Sequence, residues 1–253
     1  MTQRELFLGA LFPTALLLGQ QNAAPLKTYN YSADHLSISI PADWVAIQRS
    51  ELDQMSANVR RAAPNASPQP YNYGFQASPD ARYPRVLIQV KTSGRWREKV
   101  FAQLPKASTG DLQRQVQSAT PAFATLNLKV GKLTYDPSTR VAWLRTQFTG
   151  DDGETQGFSG LHPTNIGSIQ VHCYALTPEF EQYAPLFSEI ITSVKIDDVW
   201  KYRERSRFVV ALGDFSDLAS SAVTGAVGGL ATVVVLWVFR KRRRAAKAAG
   251  PVV

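Results

Sequence analysis

Residues 157–161, Gly157-Phe158-Ser159-Gly160-Leu161, approach the G-x-S-x-G pattern that lifts a serine nucleophile onto a sharp strand-to-helix turn. The match fails at its last position, where Leu161 stands in place of glycine. The flanking pattern also puts Ser159 inside a strand, so this serine is expected to be structural. His162, His172 and Cys173 are the next candidates, since imidazoles and a thiolate that converge can hold a metal. His172 and Cys173 are neighbours in an extended segment and must point to opposite faces. With the intervening turn centred near Asn165, His172 is expected opposite Phe158 rather than His162. Cys173 shares its parity with Ile169, Val171 and Ala175 and reads as a buried thiol acting as a small hydrophobe. No metal and no cofactor is expected from this set. Asp151, Asp152 and Glu154 crowd one segment, but paired carboxylates do acid–base work only where a cleft separates their pKa values. At a hairpin tip they are expected to be solvated.

Lys91, Arg95, Trp96, Arg97 and Lys99 form a basic stretch around one aromatic ring. Such a combination can stack on the bases of a single strand. Topology argues against nucleic acid here, because the segment is expected outside the cytoplasm. An anionic lipid or glycan surface, or a partner protein, is within its reach. The plainer reading is a solvated edge with Trp96 tucked beneath arginine stems.

That topology rests on residues 218–239, which open at Leu218, close at Phe239 and contain no charged side chain. A helix of this length covers roughly 33 Å at about 1.5 Å per residue, enough for a hydrocarbon core of about 30 Å. Trp237 and Phe239 stand where an interfacial aromatic belt belongs. Arg240, Lys241, Arg242, Arg243 and Arg244 then follow without a break and mark the cytoplasmic side. Ser221, Gly225 and Gly229 recur every fourth residue, the spacing that lets two helices approach closely, and they nominate a homodimer through the span.

At the other end, residues 6–19 are apolar and broken by Pro13, too short for a span and suited to the core of a signal peptide. Residues 1–23 are therefore expected to be removed after Ala23 or Ala24, with an uncleaved anchor as the alternative. No lipobox cysteine stands at the end of this run, so a lipidated N-terminus is not expected. With either outcome, residues 24–198 are expected to form an extracytoplasmic domain, periplasmic or extracellular: cleaved, the chain is a single-pass protein of the cell (inner) membrane with its tail inside, and uncleaved, a two-span protein with both ends inside. Residues 199–217 form a juxtamembrane stalk or an interfacial segment, and residues 240–253 a basic cytoplasmic tail.

The formal charge of +8 belongs mostly to that tail. Residues 24–217 hold 21 basic and 19 acidic side chains, so the high pI describes a membrane flank rather than a nucleic-acid face. One cysteine permits no intrachain disulfide.

Within the domain, alternation at residues 35–40 reads as a strand with Leu36, Ile38 and Ile40 inward, ended by a turn at Pro41-Ala42-Asp43-Trp44. Residues 49–62 are helix-compatible, with Ser50 as candidate cap and Leu52, Met55 and Val59 on one stripe. A proline-rich stretch follows, with Tyr71, Tyr73 and Phe75 in a short strand, then a strand at 85–91. Residues 98–104 and 110–119 read as helices. From residue 126 a meander of about four strands is expected (126–135, 140–149, 155–162 and 168–176), with Gly150-Asp151-Asp152-Gly153 as a hairpin turn. An amphipathic helix at 178–190 carries Phe180, Tyr183, Phe187 and Ile190 on one face, and residues 191–196 close the domain.

Two of these segments carry a resemblance. Leu36-Ser37-Ile38-Ser39-Ile40-Pro41-Ala42-Asp43-Trp44 resembles the strand–Pro–Trp opening of the PsbP/Mog1-like fold, and Phe187-Ser188-Glu189-Ile190-Ile191-Thr192-Ser193-Val194 resembles its close. The resemblance spans roughly residues 29–196. It implies an α+β domain, an antiparallel β-sheet (meander) flanked by helices, to which this chain adds one C-terminal transmembrane helix. It further implies a non-enzymatic binding or assembly module, here for an envelope protein partner, and no functional residues carry over. The alternative is an envelope hydrolase, whose cleft would have to be lined by His162, Asp152 and Arg145.

Overall fold

The computed structural model describes residues 24–62, 70–92, 109–110, 113–114, 127–150 and 152–203. Alternation at the start of the domain produces β2 (Leu36–Pro41), with Leu36, Ile38 and Ile40 buried. It pairs antiparallel with β1 (Leu26–Tyr31) on one side and with the short closing strand β11 (Lys195–Ile196) on the other. The Pro41–Trp44 turn closes with the Trp44 amide donating to the Pro41 carbonyl. It leads through β3 (Val45–Ala46) into α1 (Arg49–Ala62). Ser50 does not cap this helix. The Gln48 carbonyl already accepts from Glu51 and Leu52, so Ser50 lies within the first turn. Leu52 and Met55 are buried, as their spacing demands.

The large sheet has the order β3, β4 (Tyr73–Gln76), β5 (Arg85–Lys91), β10 (Ser168–Leu176), β9 (Gly153–Pro163), β8 (Val141–Gly150), β6 (Lys129–Val130), with β7 (Thr134–Asp136) also on β8. Every pairing is antiparallel. The single strand expected over residues 126–135 is two short ones. Gly131 breaks it, its amide donating to the Arg145 carbonyl at 2.8 Å while the chain kinks away from β8. The turn at residues 136–139 forms, with the Asp136 carboxylate accepting from the Ser138 amide and hydroxyl and from Thr139. These donors hold its pKa below the usual carboxylate value.

One face of the large sheet is covered by α2 (Thr177–Thr192) and by the three-stranded sheet. The helix runs two residues past Ile190, so the closing strand starts only at Lys195. Phe180, Phe187, Ile190 and Ile191 are fully buried, each worth roughly 1.5–3 kcal/mol of transfer free energy. The helix comes close because β9 carries glycine beneath it: a Cβ on Gly160 would lie 2.1 Å from Ile191 Cγ2.

Residues 200–202 stay against the domain. Lys201 bridges to Thr164, the Trp200 carbonyl accepts from the Asn165 amide, and Tyr202 is buried. Among the described residues no helix is long and apolar enough to cross a membrane. The expected span at residues 218–239, the tail beyond it, the N-terminal segment 1–23 and most of the two helices expected between residues 98 and 119 lie outside the described residues.

Candidate functional site

Sheet register decides which polar groups meet. Ser168 pairs with Pro163 and His172 with Ser159, so Phe158 faces Cys173. This is one residue away from the pairing expected with the turn centred near Asn165. The Thr164 hydroxyl explains the offset: it accepts from the amides of Ile166 and Gly167 and draws the turn's centre toward Ile166. A shift of one residue exchanges faces along a strand, and it places Ser159 beside His172.

The result is a buried chain of three polar side chains. Ser159 Oγ lies 2.9 Å from His172 Nδ1, and His172 Nε2 lies 3.2 Å from Gln89 Oε1. The Gln89 carbonyl oxygen only accepts, so Nε2 carries the proton and Nδ1 accepts from the Ser159 hydroxyl. Burial pushes the His172 pKa down to about 4, and the ring is neutral at pH 7. Serine donating to imidazole is the arrangement that activates a nucleophile. Here the third member is an amide rather than a carboxylate, which cannot stabilise an imidazolium as a charged orienter does. Ser159 is 8% exposed and His172 1%, which leaves the pair little access to a substrate.

His162 lies on the opposite face, paired in register with Ile169 and buried beneath α2. Burial lowers its pKa to about 4, while a hydrogen bond to the Ile191 backbone pulls the other way. Cys173 is a free buried thiol whose pKa is raised by burial. His172 and Cys173 do point to opposite faces. Among the described residues no group of three or more His, Cys, Asp or Glu side chains is placed to hold a metal. His162 and Asp152 stand at opposite ends of β9, roughly 30 Å apart at about 3.3 Å per residue, and cannot line one cleft. Asp152 is tied to Arg82 across to the loop after β4, and Glu154 accepts from Gln147 at 2.6 Å. Arg145 reaches Glu181 on α2 at 3.4 Å.

The same face that holds α2 carries an aromatic group at its margin. Trp143 on β8 stacks on Phe158 of β9 at 5.0 Å between ring centres, and both are half-buried. Arg145 lies 5.4 Å above the Phe158 ring and 5.4 Å from Phe180, with its guanidinium exposed. Sequence reading missed this patch, although Trp143 and Arg145 share a parity and the register with Phe158 follows from the hairpin. Of the basic stretch singled out above, Lys91 ends β5 half-buried and has a partner. Arg95, Trp96, Arg97 and Lys99 lie outside the described residues, as do Ser221, Gly225, Gly229 and the flanking residues Leu218, Phe239 and Arg240 to Arg244.

No family model matches the chain, and no curated protein does. Among solved structures it is similar to the cyanobacterial PsbP of Synechocystis at 12% identity, over 70% of this chain and 96% of that one, with a TM-score of 0.44. It is similar to LpqN of Mycobacterium tuberculosis, described as involved in cell envelope biogenesis, at 12% identity over 70% and 87%, with a TM-score of 0.36. A protein of Bacteroides thetaiotaomicron matches at 12% identity over 70% of this chain and 50% of that one, again with a TM-score of 0.36. PsbP is the fold type that residues 36–44 and 187–194 resemble. At this identity the likeness is one of fold alone, and a functional reading must rest on this chain's own residues.

Proposed function

We propose that the chain is a membrane-tethered, extracytoplasmic binding module that recognises another envelope protein without catalysing a reaction. The observation that carries this reading is the Trp143–Phe158 stack with exposed Arg145 above it. Tryptophan and arginine dominate the energetics of protein interfaces, because each combines a large apolar contact with a directed polar group. The tether is the apolar segment 218–239 with its cationic flank. Co-purification from crosslinked membranes tests the reading, using the full chain and Trp143→Ala. The wild type is expected to retain a defined partner that Trp143→Ala loses, with an unchanged far-UV spectrum. Equal capture by both proteins, or no partner at all, would remove the patch as a docking surface.

A second reading, an envelope hydrolase, is favoured by the 2.9 Å contact between Ser159 and His172. It requires that the buried pair become accessible. A hydrolytic activity of the purified full chain that vanishes in Ser159→Ala would establish it over the first.

A further inference from the structure

A different group of side chains stands at the end of the large sheet, on the face opposite the Trp143 patch. Arg85 opens β5 there and is 2% exposed. A buried guanidinium ordinarily lies against a carboxylate, since an uncompensated charge away from water is costly. This one lies against ring faces. Its Cζ is 5.1 Å from the centre of the Tyr83 ring and 6.0 Å from that of Tyr174. Its Nε has no hydrogen-bond partner among the described residues. Asp152, one acid at this end of the sheet, is already engaged by Arg82.

Two hydroxyls on the same face of the sheet share the condition of Arg85. Tyr174 is its direct partner across the β5–β10 ladder, and Thr155 stands two residues along β9 from Gly157, the partner of Tyr174. Tyr174 Oη and Thr155 Oγ1 are buried, and neither has a hydrogen-bond partner among the described residues. Glycine at 157 is what lets the Tyr174 ring lie across the strand: a Cβ there would sit 2.9 Å from Tyr174 Cε1 and 2.5 Å from Thr146 Oγ1. One guanidinium N–H and two O–H groups thus stand on one face at the same end of the sheet, all able to donate, one permanently charged. A buried donor left without an acceptor destabilises a fold, and three together at one end of a sheet have a common remedy. An oxyanion accepts from all three and supplies the missing negative charge, whereas water supplies only the acceptor.

We propose that Arg85, Tyr174 and Thr155 form an oxyanion-binding site at this end of the sheet, taking the carboxylate or phosphate of a small anionic ligand. The aromatic walls provided by Tyr83, Tyr174 and Phe148, whose ring meets Tyr174 edge-on at 6.2 Å, suit a ligand with an apolar body behind the anion.

The test is thermal unfolding of the full chain in detergent, with sodium phosphate, sodium acetate or sodium chloride at matched ionic strength. Phosphate or acetate is expected to raise the Tm saturably above the chloride control. A response to phosphate alone assigns a phosphate ligand, and a response to acetate alone a carboxylate. Tyr174→Phe and Thr155→Val each delete one hydroxyl with little change of shape, and each is expected to raise the half-saturating concentration about tenfold, the equivalent of a lost hydrogen bond. Arg85→Gln should abolish the response, and if that variant does not fold the other two still decide. Equal Tm values in all three salts would overturn the proposal. So would a response left unchanged by both hydroxyl deletions, which would put the anion elsewhere. Because the site and the Trp143 patch lie on opposite faces of the sheet, Trp143→Ala should leave the anion response intact, and either reading can fail without the other.

Discussion

His162 and His172 are the two side chains whose protonation the fold opposes most directly. Both are buried, and burial lowers each pKa to about 4 from an ordinary value of 6.5. The unfolded chain therefore binds more protons than the native one between about pH 6.5 and 4, and stability falls as pH drops through that window. At roughly 1.4 kcal/mol per pKa unit, each histidine withdraws on the order of 3 kcal/mol by pH 4. Tm is expected to be flat from pH 8 to 7 and to decline steeply from pH 6.5 to 4.5. His172→Gln, which removes one of the two titrating groups, should lose less Tm than the wild type over the same interval. Parallel declines in the two proteins would show that other groups govern acid unfolding. The opposite orientations of His172 and Cys173 follow from chain geometry alone, but the Ser159 contact depends on register, which the Thr164 turn sets.

Among elements, α2 and β9 approach each other closely. Ile191 rests on Gly160 so closely that no other residue fits without displacing the helix. Gly160→Ala is expected to cost about 1–3 kcal/mol, the usual range for overpacking a filled core, and urea unfolding of the full chain measures it. A midpoint unchanged from wild type would mean that the helix shifts freely, contrary to its four buried anchors. The span we propose at residues 218–239 belongs to the same scale. Lipid tails are as apolar as such a helix would be, so shape rather than hydrophobicity would have to drive its self-association. Gly225→Leu, at the centre of the small-residue face, should weaken pairing in a membrane two-hybrid assay while Val227→Leu does not. Equal signals from the two variants would reduce Ser221, Gly225 and Gly229 to composition.

At the scale of the whole molecule, the organisation we propose is an exported domain, a membrane helix and a cytoplasmic cationic tail. Fusing to Val253 one reporter active only in the cytoplasm and another active only outside it tests this directly. Cytoplasmic activity is expected, and activity confined to the exported side would invert the orientation. The domain itself ends later than Asp198 in contact terms, since Tyr202 is buried and its carbonyl accepts from Arg140 at 3.5 Å. A truncation after Asp198 therefore removes packing as well as linker.

The alternation of residues 36–40, the Asp136 turn, the two-residue hairpin between Gly150 and Gly153 and the apolar stripe of α2 were all determined by the sequence alone. Each is a local pattern, in which residues a few positions apart select a backbone shape and a buried face. The tertiary structure decided the rest. Whether residues 126–135 made one strand or two depended on where Gly131 met the Arg145 carbonyl. That Ser168, Gln170, His172 and Tyr174 are buried as fully as the apolar side chains on the other face of β10 depended on the sheet being covered on both sides, which alternation cannot reveal. The meeting of Gln89 with His172, 83 residues apart, and of Arg85 with Tyr174 arose from the pairing of β5 with β10. Long-range strand pairing is selected by the free energy of the assembled core, and no window of sequence contains it.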